Sequence, residues 1–191
     1  MAASEWTLKT ATELAEAIRK KEVTSLALVN AFLDRVHALD RGDGGINAVV
    51  LIYEEEARAL AREKDAMLEK GEICGPLHGV PMTIKECNFY GSTAITQGDP
   101  KDVDSSCPNT IAGGYNEPFV ARLVNAGAII YGKTNLPLHQ ADWQSYNEVY
   151  GQTNNPFDIG KSPGGSRCVT YTYVSTNLSR SSLVLLLLCQ F

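Results

Sequence analysis

Lys85 is the residue best placed for chemistry in this sequence, because it ends an apolar segment that follows a stiff turn. The segment Gly75–Glu86 reads Gly-Pro-Leu-His-Gly-Val-Pro-Met-Thr-Ile-Lys-Glu. Its glycines and prolines favour a turn, and the apolar residues Val80, Met82 and Ile84 then recur at the period of a β-strand. The pattern therefore predicts a strand that delivers Lys85 toward the protein interior.

A lysine in the interior can act as a base. Burial disfavours the charged ammonium and lowers the pKa of a lysine from about 10.4, so a buried Lys85 could accept a proton near neutral pH. Two structural alternatives stay open from this segment alone. The side chain could extend its ammonium to solvent from a strand end, or it could pair with the adjacent Glu86.

The segment Gly127–Thr134 matches the phosphate-binding pattern G-x-x-x-x-G-K-[ST], which would indicate a nucleotide hydrolase. A true loop of this kind follows a strand and opens a helix. Here a predicted helix precedes Gly127, and the interior Ala-Ile-Ile-Tyr is itself a predicted strand. Pro137 also restricts Leu136 to extended geometry where the helix should continue. We interpret the match as accidental and keep nucleotide binding at 127–134 as a distant alternative.

Three segments, in this order, resemble the amidase signature family. They are Gly79–Glu86, then Gly127–Pro137, and then Tyr150–Asp158 followed by Ser162–Ser166. The resemblance spans Leu8–Ser166. It implies an α/β fold, here a partial α/β/α sandwich around a mixed sheet with an incomplete core. It also implies hydrolysis of carboxamides through an acyl-enzyme, with no cofactor and no metal.

The family's catalytic residues are a lysine, a serine with a cis peptide bond and a serine nucleophile. By resemblance, Lys85 is the base and Ser166, in Pro163-Gly164-Gly165-Ser166, is the bridging serine. The proton of the nucleophile would pass to Ser166 while Ser166 gives its own proton to neutral Lys85. No residue of this chain is assigned as the nucleophile.

The resemblance stops after Ser166. The family continues with Ser-Gly-Gly and later a D-x-G-G-S segment that carries the nucleophile and the oxyanion hole, whereas residues 167–191 contain no Asp, Glu, Gly, Ala or Pro. We therefore expect residues 1–166 to be the N-terminal part of an amidase domain and residues 167–191 to be a divergent tail. A frame change or a retained intron would explain this tail. Such a chain would be catalytically incomplete.

A non-enzymatic role is the alternative to a role in amide hydrolysis. In it, the chain associates with itself, or pairs with a full-length amidase subunit or another partner. If the family activity applies, the substrate is a small-molecule amide, and aliphatic amides, aryl amides and transfer-RNA-linked glutamyl or aspartyl groups all stay open. The segment Trp143–Glu148 favours free amide hydrolysis over the transfer-RNA-dependent reaction, by family analogy.

Composition argues against several other classes of protein. The 191 residues carry a net charge of −5 and a pI near 5.2, so we expect neither a nucleic-acid nor a membrane partner. The five cysteines form no C-x-x-C pair and the three histidines are scattered, which suggests neither a disulfide framework nor a metal site. We predict a reducing, cytoplasmic location. The apolar run 183–189 is far shorter than the roughly 20 residues that span a bilayer.

Helical and extended segments alternate along the chain, which indicates an α/β layered fold that positions Lys85 at a strand end. Helices are predicted from the capping box Thr10–Glu13 to Arg19–Lys21, then at Thr24–His37, Glu54–Lys70 and Glu117–Asn125, and further strands at Ile46–Tyr53 and Ala128–Tyr131. The segment Gly91–Asn116 is long and rich in turn residues. Such a loop is unusual in a compact domain unless it is functional or mobile.

Overall fold

The computed structural model describes residues 3–42, 44–103 and 114–163, and in these residues helices pack against a mixed β-sheet. The elements are α1 Ala3–Trp6, α2 Ala11–Arg19, α3 Ser25–Leu39, β1 Val49–Ile52, α4 Glu54–Glu69, β2 Pro81–Lys85, α5 Pro118–Asn125, β3 Ile129–Thr134, β4 Tyr146–Asn147 and β5 Gly151–Gln152. Short 3-10 turns lie at Pro100–Asp102 and Leu138–Gln140. The predicted bridging residue Ser166 and the predicted tail 167–191 lie outside the described residues.

The sheet has the strand order β1-β3-β2, so β3 is its central strand. β3 runs antiparallel to β1 and parallel to β2, and Thr134 lies opposite both Val49 and Lys85. The chain passes from β2 to its parallel neighbour through a long connection that contains α5, as parallel pairing requires. The short strands β4 and β5 form a separate hairpin. The predicted α/β fold with a mixed sheet and a partial core is confirmed.

Two strands differ from their predicted form. β1 is shorter than the predicted Ile46–Tyr53, and β3 continues past the predicted end at Tyr131 to Thr134. The predicted strand inside the phosphate-binding pattern is confirmed, and β3 also includes Gly132-Lys133-Thr134, where a true phosphate-binding loop would open a helix. In β2 the residues between the expected apolar positions are buried too, because both faces of the sheet are covered.

The predicted helices form, and α2 begins with the capping box that the sequence indicates. Thr10 Oγ1 accepts a hydrogen bond from the Glu13 amide at 3.3 Å, and the Glu13 carboxylate accepts one from the Thr10 amide at 2.7 Å. The start of α3 is capped by Asp65, a residue of α4. The Asp65 carboxylate accepts hydrogen bonds from the amides of Ser25 and Leu26 at 2.7 and 3.1 Å, which fixes the two helices relative to each other.

The hydrophobic core lies between the helices and the sheet. Phe32 of α3 and Tyr131 of β3 are both fully buried, with ring centroids 6.0 Å apart. Burial of one such side chain stabilises a fold by about 1.5–3 kcal/mol. From α4, only Ala57 and Ala61 are buried. The charged residues of α4 form a solvated face, as predicted. In the described part of the chain, no helix combines the length and the hydrophobicity needed to cross a bilayer.

The turn before β2 is fixed by backbone hydrogen bonds to the segment before β3. The Leu77 amide donates to the Ala126 carbonyl and the Gly79 amide donates to the Gly127 carbonyl, both at 2.9 Å. Gly79 has a φ of +77°, and a Cβ atom there would lie 2.0 Å from the Ser25 Oγ atom. The turn therefore requires glycine for its backbone conformation and for its contact with α3.

We expect Gly79→Ala to lower the free energy of unfolding by about 2–5 kcal/mol, because it combines a strained left-handed backbone with overpacking. Gly71→Ala is the matched control, since Gly71 has a φ of +80° but a Cβ atom there would have no other atom within 4 Å. Its cost should be about 1–2 kcal/mol. Urea unfolding followed by circular dichroism measures both, and adding Ser25→Ala should recover part of the Gly79→Ala loss. Equal losses for the two glycine variants would contradict the packing argument.

Candidate active site

Lys85 is the last residue of β2, and its side chain reaches the loop that follows β3. The Lys85 Nζ atom donates a hydrogen bond to Gln140 Oε1 at 2.5 Å. Lys85 is half-buried, so the strand brings it toward the interior, as predicted, but does not bury it fully. The physical reason is that the elements packed on the sheet bury Pro81–Ile84 on both faces but do not fully cover Lys85, which meets the surface loop. The predicted position at a strand end is confirmed.

Three residues near Lys85 have a left-handed backbone although none is glycine. Gln97, His139 and Gln140 have φ values of 50°, 48° and 60°. The His139 amide donates to the Gln97 carbonyl at 2.9 Å, so the two loops that contain these residues are joined. His139 Nε2 also lies 3.2 Å from Asp99 Oδ2. Strained non-glycine residues cluster at functional sites, where the surrounding structure over-determines them.

Glu86, the residue after Lys85, is fully buried and binds the loop that contains Thr96 and Gln97. Its Oε1 atom accepts hydrogen bonds from the Thr96 amide at 2.6 Å, the Thr96 hydroxyl at 3.0 Å and the Tyr150 hydroxyl at 3.2 Å. Its Oε2 atom accepts one from the Gln97 amide at 3.1 Å. Burial, opposed by the hydrogen bond with Thr96, raises the pKa of Tyr150 to about 12, so its hydroxyl stays a donor.

The fully buried lysine of the sheet is Lys133 in β3, opposite Ile84. Its ammonium lies 3.3 Å from the Ala94 carbonyl and 3.4 Å from the Glu86 carbonyl. Burial lowers the pKa of Lys133 to about 8, although the nearby Glu86 raises it. Lys133 thus has both an interior position and a lowered pKa, which the sequence did not predict for it. The phosphate-binding pattern drew attention to Lys133, but it gave no sign of burial.

A set of side-chain amides holds the β4–β5 hairpin against the end of the sheet. The Asn147 amide donates to Asn135 Oδ1 and to the Leu136 carbonyl, both at 2.8 Å. Asn135 donates to Thr153 Oγ1 at 3.1 Å, and Thr153 donates to the Asn47 carbonyl at 2.8 Å. These contacts fix the segment that supplies Tyr150 to Glu86. Sequence reasoning missed them because isolated asparagines in loops have no periodic signal.

The predicted site residues are only partly within the described structure. Lys85 has the surroundings given above, whereas Ser166 lies outside the described residues. Among the residues that the structure describes, no group of three or more His, Cys, Asp or Glu could hold a metal ion. Gln140, Gln97 and Glu86 are the site residues that the sequence did not single out. Of these three, only Glu86 was indicated by the sequence, through its position directly after Lys85.

Comparisons with known proteins place this geometry in context. Residues 27–167 match the family described as Amidase. One relative is a subunit of the glutamyl-tRNA(Gln) amidotransferase from Acidothermus cellulolyticus. It is 35% identical over 162 residues, which are 83% of this chain and 30% of that protein. An acylamidase from Rhodococcus erythropolis is 36% identical over 168 residues, which are 88% of this chain and 33% of that protein.

Solved structures give the same result for the fold. The native peptide amidase from Stenotrophomonas maltophilia superposes with a TM-score of 0.76 at 30% sequence identity. The superposition covers 90% of this chain and 34% of that chain. The present chain therefore spans about a third of the length of the proteins that it matches.

The lowered pKa of Lys133 predicts a pH dependence of stability. Between about 8 and the ordinary lysine value of 10.5, the unfolded chain binds more protons at this residue than the folded chain. The Lys133 contribution to the free energy of unfolding therefore rises with pH in this window, by at most about 1.4 kcal/mol per pH unit. We expect Lys133→Met to lose this rise.

Urea unfolding at pH 7.5, 8.5 and 9.5 measures the effect. The free energy of unfolding of wild type minus that of Lys133→Met should rise toward higher pH. Lys70→Met is the control, because Lys70 is an exposed lysine at the end of α4. Its difference from wild type should stay constant. A constant difference for Lys133→Met as well would show that burial does not favour the neutral amine.

Proposed function

Because this chain belongs to the amidase family, whose match covers residues 27–167, we propose that it is the N-terminal part of an enzyme that hydrolyses carboxamide C–N bonds. The observation that carries this proposal is the placement of Lys85. It ends a buried strand, and its amine is held 2.5 Å from Gln140 Oε1 in a loop with left-handed backbone. Lys85 and Ser166 both fall inside the matched segment.

In the proposed reaction, Lys85 is the general base and Ser166 passes protons between it and a serine nucleophile. Neutral Lys85 accepts the proton of Ser166 as Ser166 accepts that of the attacking serine. Ser166 later gives a proton to the leaving amine, and water then releases the acyl group. Gln140 supports this role because its carbonyl takes one N–H of Lys85, which limits the directions in which the amine lone pair can point.

The substrate proposed is a small-molecule amide, without a cofactor and without a nucleic-acid partner. The relatives have names that include an acylamidase, a peptide amidase and an amidotransferase subunit, which share cleavage or transfer at an amide. The net charge of −5 disfavours binding of the phosphate backbone of a nucleic acid. We also propose a cytoplasmic location, in keeping with a sequence whose five cysteines form no C-x-x-C pair.

We expect the 191 residues by themselves to hydrolyse no amide above background. Residues 167–191 contain no glycine from which a D-x-G-G-S loop could be built. Loss of even one oxyanion donor lowers kcat by about 10² to 10³, and loss of the nucleophile removes the acyl-enzyme route. Residues 1–166 fused to the remaining part of a related amidase should regain turnover of an unactivated amide.

Lys85→Ala in that fusion should abolish the regained turnover, whereas Lys161→Ala should leave it unchanged because Lys161 is a surface lysine paired with Asp158. The amide must be unactivated, since a neutral lysine can attack an activated ester directly. A fusion that turns over substrate equally well with Lys85→Ala would remove Lys85 from the mechanism. Turnover by the 191 residues alone would refute their proposed incompleteness.

A second candidate function is association with another chain. Trp143, Phe157 and Ile159 are 84%, 76% and 68% exposed. A contiguous apolar patch is typical of surfaces that contact another protein, and in this alternative these side chains contribute to one. One of the matched relatives is named as a subunit, which adds support. The partner in this alternative is a full-length amidase subunit or a second copy of the chain.

Size-exclusion chromatography with light scattering tests this alternative. We expect a discrete complex with an intact amidase subunit or a concentration-dependent dimer, and we expect Trp143→Ser with Phe157→Ser to weaken it at least tenfold. Ile73→Ser is the control, because Ile73 is exposed in a different segment, after α4. A monomer at all concentrations, with no co-elution, would rule out the association.

A further inference from the structure

Glu86 and Lys85 are adjacent in the chain but act on different parts of the structure. Lys85, the last residue of β2, reaches the surface loop, whereas Glu86, the next residue, is fully buried. All four hydrogen bonds to the Glu86 carboxylate come from two segments that are distant in sequence, Thr96–Gln97 and Tyr150. Glu86 therefore anchors the loop at the end of β2.

A continuous set of contacts leads from Glu86 back to Lys85. The Gln97 amide donates to Glu86 Oε2 at 3.1 Å, and the Gln97 carbonyl accepts from the His139 amide at 2.9 Å. His139 is joined by a peptide bond to Gln140, whose Oε1 atom accepts from Lys85 Nζ. Each step is a direct hydrogen bond or a covalent bond. The relay, defined as Gln97, His139 and Gln140, thus connects a buried carboxylate to the proposed base.

The backbone of the relay needs an external anchor. All three of its residues have a positive φ, a conformation that non-glycine residues adopt rarely and keep only when their surroundings enforce it. Gln140 is exposed, so packing around its side chain does not fix it. The buried Glu86 carboxylate, with its charge-assisted hydrogen bonds, is the anchor at the other end.

We propose that Glu86 is a positioning residue that acts through the relay to hold Gln140, and thereby the amine of Lys85, in place for the reaction. The significance of Lys85 rests on the proposed function, but the positional claim can be tested without turnover. The proposal predicts that weakening the Glu86 anchor changes the environment of Lys85 although the two side chains bind different residues.

Competitive trace acetylation of the folded chain with acetic anhydride measures the reactivity of individual lysines, with peptide mass spectrometry as the readout. Relative to the exposed Lys70, we expect Glu86→Gln to raise the labelling rate of Lys85 at pH 8 at least twofold. Gln140→Leu, which removes the acceptor, should raise it by a similar factor. The double variant should not exceed Gln140→Leu alone, because both changes break one pathway.

The double variant also separates the relay from a direct effect of the lost charge. A direct effect of Glu86 on Lys85 would persist in full when Gln140 is already leucine, and that outcome would overturn the proposal. No change of Lys85 reactivity in Glu86→Gln would overturn it as well. Failure of the proposed function would instead appear as turnover that survives Lys85→Ala, whatever the labelling shows.

Tyr150→Phe keeps the test valid if Glu86→Gln does not fold, a failure that fast labelling of the buried Lys133 would reveal. This substitution leaves the charge unchanged and removes only the hydroxyl that donates to Glu86 at 3.2 Å. We expect a smaller rise of Lys85 labelling in the same direction, absent in the Gln140→Leu background. Labelling that stays at the wild-type rate would contradict the relay.

Discussion

The buried carboxylate of Glu86 is the constraint on which the geometry around Lys85 depends. An ionised group in the interior is unfavourable unless hydrogen-bonded, and Glu86 meets this requirement by accepting from Thr96, Gln97 and Tyr150. Each donor belongs to a segment without regular structure. The need to satisfy one carboxylate therefore orders the loop after β2 and the β4–β5 hairpin at the same edge of the sheet.

The two lysines of the parallel strands have divided roles because of where they lie along the sheet. Lys133 lies in the central strand β3, donates to backbone carbonyls and has a pKa lowered by burial. Lys85 is at the strand end, where its amine donates to Gln140 of the loop after β3. A lowered pKa by itself does not identify a reacting lysine, because structural burial produces it as well.

The turn at Gly79 links this edge to the remainder of the fold. Its contact with Ser25 presses β2 against the start of α3, and Asp65 of α4 caps that same start. The strand that presents Lys85 is therefore set by the helices as well as by its neighbour in the sheet.

The sequence by itself determined most of the helices, the strand that ends at Lys85 and the family. Capping at Thr10, the apolar period of α3 and the glycine after α5 are local signals, and they predicted helices that the structure has. The three motifs also identified the family. Whether Ser166 is the bridging serine and whether residues 167–191 are a separate tail stay predictions, since both lie outside the described residues.

Only the tertiary structure decided which lysine is buried and what each one contacts. Lys85 and Gln140 are 55 positions apart, and Glu86 and Tyr150 are 64 apart, so no local pattern links them. The alternation in β2 suggested burial of one face, but the helices and loops cover both faces, and this cover stops at Lys85. Burial at a strand end depends on how far the packed layers extend, which residue periodicity does not encode.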